Sequence, residues 1–171
     1  MDRTEIESAL RDLSDRLADQ EITAKVYVVG GAAMVLAAFS SRFSTADVDA
    51  DFYPPDEVRD AAKLVAEERG LPDDWLNNSA KGFLPAFKET EWRPVLKFDH
   101  LEVSTADERA LLAMKIRASR GSRDIADIKD LLKLSKVSTV EQALEIYDEY
   151  FPDDPLTPRA LPLLKRALNI E

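Results

Sequence analysis

Three carboxylates, Asp47, Asp49 and Asp51, alternate with Val48, Ala50 and Phe52. On an extended strand that period of two turns all three acids to one face. Placed side by side they repel, so such a run is either a solvated sheet face or a site for a divalent cation. Carboxylate oxygens suit Mg2+ or Mn2+, and Mg2+ commonly joins one or two carboxylates to substrate phosphates. Upstream, the apolar run 26–29 ends at Gly30-Gly31, and residues 32–39 read as a helix. Two residues without Cβ let a ligand reach the main chain. The unpaired N–H groups and positive dipole end of a helix starting there favour a phosphate. The stretch thus sets a phosphate-sized backbone gap beside a metal-sized carboxylate cluster.

Other elements must hold this stretch in place. Residues 4–18 form an amphipathic helix with Ile6, Leu10, Leu13 and Leu17 on one face, and Thr4 with Glu7 supplies a capping box. Pro54-Pro55 ends the acidic strand. Residues 56–69 then read as a helix with Val58, Ala62, Val65 and Ala66 inward, stopped by Gly70. Residues 73–83 lack periodicity. Trp75, Asn77 and Lys81 there suit either a substrate pocket or a surface loop anchored by a buried Trp. A hairpin follows from Val95, with His100 as an exposed turn residue.

The remainder reads as helical. Thr105 and Glu108 give a capping box to a helix that breaks at Gly121, where Ser122 caps the next. Lys115 lies among apolar residues at the rim of the core. Asp124 and Asp127 share a helix face, with Arg123 and Lys129 as ordinary surface partners. Thr139 and Gln142 begin a helix to about Tyr150. Thr157-Pro158 caps a last one with Leu161, Leu164 and Leu168 inward.

With 171 residues, 45% apolar and 33% charged, the chain suits one globular domain, a sheet-containing core over 1–104 and a helical part over 105–171. A net charge of −10, from 23 Lys plus Arg against 33 Asp plus Glu, argues against broad binding to a nucleic acid backbone. The absence of cysteine excludes disulfides and thiolate metal sites, and a single His excludes multi-His zinc sites. No apolar run of about 18 residues is present, which points to a cytoplasmic protein with no membrane partner.

Gly-Gly, a helix, then R-x-S-T-x-D-V-D (Arg42, Ser44, Thr45, Asp47, Asp49) resembles the signature of the DNA polymerase β type nucleotidyltransferases. The form is that of the minimal and AbiEii-like members, most closely the DUF6036 group, over roughly residues 5–150. The resemblance implies an α+β fold, a small mixed sheet flanked by helices with a helical C-terminal part. It implies a nucleoside triphosphate held by Gly30, Gly31, Arg42, Ser44 and Thr45, and Mg2+ or Mn2+ on Asp47 and Asp49. A third carboxylate comes from a later strand in such enzymes. Glu102 is the best placed candidate, with Asp51 as a substitute. L-L-A-x-K and R-D-x-x-D-I are similar to two further AbiEii-like motifs. They imply that Lys115 meets nucleotide phosphate and that Asp124 or Asp127 serves the active site. Where many members follow the first Gly with Ser, this chain has Gly31 and then Ala32.

The activity so implied is transfer of a nucleoside monophosphate to a hydroxyl of an RNA, a protein or a small molecule. A toxin–antitoxin or phage-defence setting, with a cognate toxin or antitoxin as partner, is implied by the AbiEii-like resemblance. The alternative is a catalytically inactive binding module of the same fold, acting as an antitoxin or regulatory partner.

Overall fold

A computed structural model of the chain describes residues 1–37, 43–86 and 88–170. Helix α1 (Arg3–Ala18) starts where Asp2 accepts the Glu5 N–H at 2.9 Å and Glu5 accepts the Asp2 N–H at 2.7 Å. This capping box lies two residues before the expected Thr4–Glu7 pair. Asp2 already satisfies the first free N–H groups, and Glu7 is taken by Arg3 at 2.7 Å on the helix surface. Ile6, Leu10, Leu13 and Leu17 are fully buried, as their spacing requires.

Strand β1 (Ala24–Val28) buries Ala24, Val26 and Val28 and leads into α2 (Gly30–Leu36), which begins at the first glycine. Ala38 and Phe39, expected in the same helix, lie outside the described residues. Strand β2 (Val48–Tyr53) follows. Asp47 sits in a bend just before it, so Asp49 and Asp51 carry the strand alternation. Helix α3 (Pro55–Arg69) has proline at its first position and ends at Gly70 in the left-handed region, φ 67°. The short β3 (Leu76–Asn77), a 3-10 turn over Ser79–Phe83, β4 (Trp92–Lys97) and β5 (Leu101–Ala106) come next.

These strands form one mixed sheet in the order β3-β2-β1-β5-β4, antiparallel between β1 and β2 and parallel between β1 and β5 and between β2 and β3. Val26, Val28, Val48, Ala50, Phe52, Leu101 and Val103 are buried. Asp49, Asp51, Lys25, Tyr27 and Glu102 alternate with them onto the other face. Helices α2 and α3 pack on β2, and α1 packs on α3. The α+β fold implied by the motifs is the fold observed.

Trp75 is fully buried, and its Nε1 donates to Ala62 O of α3 at 2.9 Å. It therefore anchors its loop in the core. His100 is half-buried, not exposed as its turn suggests. Its Nδ1 lies 2.9 Å from Ile22 O and so carries the hydrogen, because a carbonyl only accepts.

By contact, the described residues separate into two compact units, the first containing α1 to α3 and nearly all of the sheet, the second containing the later helices. Helix α4 (Glu108–Ala118) is capped by Asp107, which accepts the N–H groups of Arg109 at 2.9 Å and Ala110 at 3.0 Å. The expected cap, Thr105, is still within β5, so the first carboxylate past the strand takes the role. A 3-10 turn over Gly121–Asp124 leads into α5 (Ile125–Leu134). Helix α6 (Val140–Tyr150) has the capping box of Thr139 and Gln142, as read from the sequence. Helix α7 (Ala160–Leu168) buries Ala160, Leu163, Leu164 and Ala167. Leu161 is 43% exposed, because it shares a face with exposed Lys165 one turn on; Leu168 is half-buried. Glu149 of α6 accepts from Lys88 and from Arg109, which hold its carboxyl below the usual range against the opposing effect of burial. Among the described residues no helix is long and apolar enough to cross a membrane.

Replacing Trp75 by Phe removes one buried hydrogen bond and part of a ring. The expected loss is roughly 1–3 kcal/mol of unfolding free energy, read from urea denaturation followed by circular dichroism. A midpoint that stays where it was would show that Trp75 does not anchor the loop.

Candidate functional site

In the first unit the glycine turn and the acidic strand are in contact. Gly30 has φ +64°, a region that disfavours any side chain, and a Cβ placed on it would lie 3.3 Å from Asp49 Oδ2. The preceding Val29 N–H donates to Asp49 O at 2.9 Å, extending the β1–β2 ladder to the point where the carboxylate meets the turn. Gly31 follows as the second residue of α2, and Asp49 is half-buried.

The other two aspartates are met by one short segment. Asn77 pairs with Asp49 across β2 and β3, and its Nδ2 donates to Asp47 at 3.3 Å and to Asp74 O at 3.2 Å. Its Oδ1 accepts the Ser79 N–H at 2.9 Å, so the amide is oriented by its own loop. Four residues on, Lys81 Nζ lies 3.3 Å from Asp51 Oδ1, while the Tyr53 hydroxyl donates to Asp51 Oδ2 at 3.0 Å. Both Asp51 oxygens are thus engaged. The lysine also stands 5.6 Å from the centre of the Tyr53 ring.

Sheet register places the remaining candidates. Asp51 shares a row with Tyr27 and Ser104, so the later strand offers a hydroxyl there. Glu102 shares a row with Lys25 and Tyr53, two residues from Asp51's row and two more from Asp49's, hence roughly 13 Å along the strand from Asp49. Among the described residues no three His, Asp or Glu side chains are grouped as a metal cage. The donors that fit a hard cation are Asp47 and Asp49 at one end of β2, the first held by Asn77 and the second faced by a residue with no side chain. Two carboxylates with open positions suit Mg2+, which keeps several positions for water and phosphate oxygen.

Ser44 forms an isolated bridge with Asp2, and the Thr45 N–H donates to Met1 O at 2.9 Å. The main chain of both is therefore used to seat the residues before Asp47. Arg42 lies outside the described residues.

In the second unit Lys115 is clamped by two acids, 2.9 Å from Asp124 Oδ1 and 2.7 Å from Asp127 Oδ2. The three side chains are only 12%, 4% and 3% exposed. Asp124 Oδ2 also accepts the Arg120 N–H at 2.9 Å. The sequence suggested Arg123 and Lys129 as partners. Both are exposed, and Lys129 reaches Asn169 instead. The triad joins α4 to the start of α5, and such an arrangement is costly to break because each ion has given up its water.

Sequence reasoning singled out Asn77 and Lys81 as polar loop residues without finding their partners. The available signal was Tyr53, which follows Asp51 by two residues and so shares its face, marking that end of the row as a place where charge is managed.

The family described as a nucleotidyltransferase of unknown function (DUF6036) matches residues 5–151. No curated protein matches the chain, and no solved structure does.

Four substitutions test this geometry. Gly30→Ala is expected to cost roughly 1–2 kcal/mol from its left-handed backbone alone, seen as a lowered thermal midpoint; an unchanged midpoint would contradict the turn as described. Lys115→Met removes the ammonium shared by two buried carboxylates and is expected to cost roughly 3–5 kcal/mol, whereas Arg123→Ala and Lys129→Ala stay within about 0.5 kcal/mol of the parent. Chemical denaturation of the three variants ranks them, and equal costs would remove the triad from its structural role.

Proposed function

The chain belongs to the DUF6036 family of nucleotidyltransferases, and from that premise we propose that it moves a nucleoside monophosphate from a nucleoside triphosphate to an acceptor hydroxyl. The observation that carries this reading is the close approach of turn and strand, where a Cβ placed on Gly30 would lie 3.3 Å from Asp49 Oδ2. A phosphate lying along the glycine turn is then next to the carboxylates that would hold its counter-ion.

Asp47 and Asp49 are the residues that would hold Mg2+ or Mn2+ together with triphosphate oxygens. When bound, the ion withdraws charge from the phosphates and lowers the pKa of the attacking hydroxyl. The chain's own part is positioning. The main-chain N–H groups after Gly30 face the phosphates, with no Ser hydroxyl to assist them. Asn77 fixes Asp47, and the Val29–Asp49 hydrogen bond fixes the strand. In this kind of transfer, placement and electrostatics supply most of the rate.

The net charge of −10 favours a protein or small-molecule hydroxyl, or a short RNA end, over a long nucleic acid. A cytoplasmic setting, where nucleoside triphosphates are available, and a role in a toxin–antitoxin pair or in phage defence accord with the AbiEii-like motifs.

The test is transfer of label from each α-32P-labelled nucleoside triphosphate with Mg2+ to total RNA, to cell-extract protein and to small molecules separated by thin-layer chromatography. One fraction is expected to take up label, and Asp47→Asn/Asp49→Asn to lose it by roughly 10³-fold or more. Equal labelling by the double variant would rule out these aspartates as the catalytic pair.

A further inference from the structure

The segment running from Asn77 to Lys81 straddles the acidic row. At one end Asn77 donates to Asp47, and at the other Lys81 pairs with Asp51, while Asp49 lies between them in sequence and in register with Asn77. The loop does not need Lys81 to hold its shape. Trp75 already pins it into the core, and the Asn77 amide ties it to Asp74 and Ser79. Yet an ammonium 56% exposed is kept over the sheet face by three features, the Asp51 carboxylate, the Tyr53 ring and the hydroxyl that fixes Asp51.

We propose that Lys81 is a triphosphate-binding residue, and that Asp51 and Tyr53 serve to hold its ammonium beside the Asp47–Asp49 pair. The inference rests on the nucleotidyl-transfer reading above and names a residue that reading did not include. Asp51 follows Asp49 by two residues on the same face, roughly 7 Å along the strand. That separation is spanned by a triphosphate whose oxygens share a cation with Asp49. A triphosphate brings more negative charge than one divalent ion cancels, and the glycine turn offers it backbone N–H groups alone. Lys81 brings a cation to the acidic row, paired at Asp51. Its pKa is raised, first by the hydrogen bond to Asp51, so it stays charged at any physiological pH. The ammonium is 56% exposed beside a half-buried Asp51 and has three donors, so it reaches a phosphate oxygen while keeping its carboxylate, without rearrangement of the loop. Asp51 is in this assignment an anchor for Lys81 and not a metal ligand, since both its oxygens are already engaged.

The test is calorimetric titration of the full chain with the α,β-methylene analogues of ATP, GTP, CTP and UTP in the presence of Mn2+, together with Mn2+ titration at saturating analogue. For whichever analogue the parent binds, Lys81→Met is expected to weaken binding about tenfold, with Lys81→Arg restoring most of it and the melting temperature unchanged. Asp51→Asn is expected to keep its Mn2+ affinity where Asp49→Asn loses it. Parent-like analogue binding by Lys81→Met, or loss of Mn2+ by Asp51→Asn equal to that of Asp49→Asn, overturns this assignment while leaving the site reading in place. Failure of the parent chain to bind any analogue overturns the site reading and this inference with it.

Discussion

A single main-chain hydrogen bond, from Val29 N–H to Asp49 O at 2.9 Å, sets the distance between the glycine turn and the acidic strand. It is the last rung of the antiparallel β1–β2 pairing, which runs from Lys25 opposite Tyr53 to Val28 opposite Ala50. With that rung made, the residue after Val29 passes close to the Asp49 carboxylate, and a Cβ there would press on Oδ2 at 3.3 Å. Glycine at position 30 is thus a consequence of strand pairing as much as of the turn. The pairing is in turn fixed by burial. A slip of one residue would carry Asp49 and Asp51 to the face where Val48, Ala50 and Phe52 now lie and expose those three to water. The same alternation that builds the core therefore aims the carboxylates.

The chain handles its buried acids in two different ways. In the second unit Asp124 and Asp127 close around one ammonium, with Arg120 N–H taking a remaining oxygen, so that charge and hydrogen bonding are satisfied locally. In the first unit the acids of the β2 region are only half-buried, and the partners given to Asp47 and Asp51 are an amide, a phenol and an exposed lysine. An amide at 3.3 Å orients a carboxylate without cancelling its charge. The first arrangement resists change, since removing any member strands a desolvated ion.

Period and punctuation made the strand, the glycine turn, the acidic strand and the seven helices of the described residues legible, because each is a local pattern of apolar spacing and stop signals. Caps were less so. Asp2 and Asp107 took over from Thr4 and Thr105 because a strand or helix began or ended a few residues from its apparent boundary, and the nearest acceptor to the free N–H groups wins. Helix α7 was read with Leu161 inward, although Leu161 falls on the same face as Lys165, and packing chose the neighbouring stripe. What local pattern could not give was register. Glu102 was a reasonable carboxylate on a later strand until the β1–β5 pairing put it opposite Lys25. The partner of Asp124 and Asp127 was hidden likewise, since Lys115 reaches them only because the chain reverses through Ser119, in the left-handed region, and the 3-10 turn after it.

The sparse carboxylate set at this end of β2 also suggests an order of assembly. Asp47 and Asp49 alone give a hard cation too few protein oxygens, and the register withholds Glu102 as a third. The missing positions are those a triphosphate would supply, and the turn that would hold the triphosphate is the one in contact with Asp49. Cation and nucleotide would then stabilise each other, each offering what the other lacks, and neither would be held tightly by itself. Such coupling suits a chain with ten net negative charges. Its own field disfavours the free anion, and a site that accepts the nucleotide only with its counter-ion meets that repulsion at the point of binding.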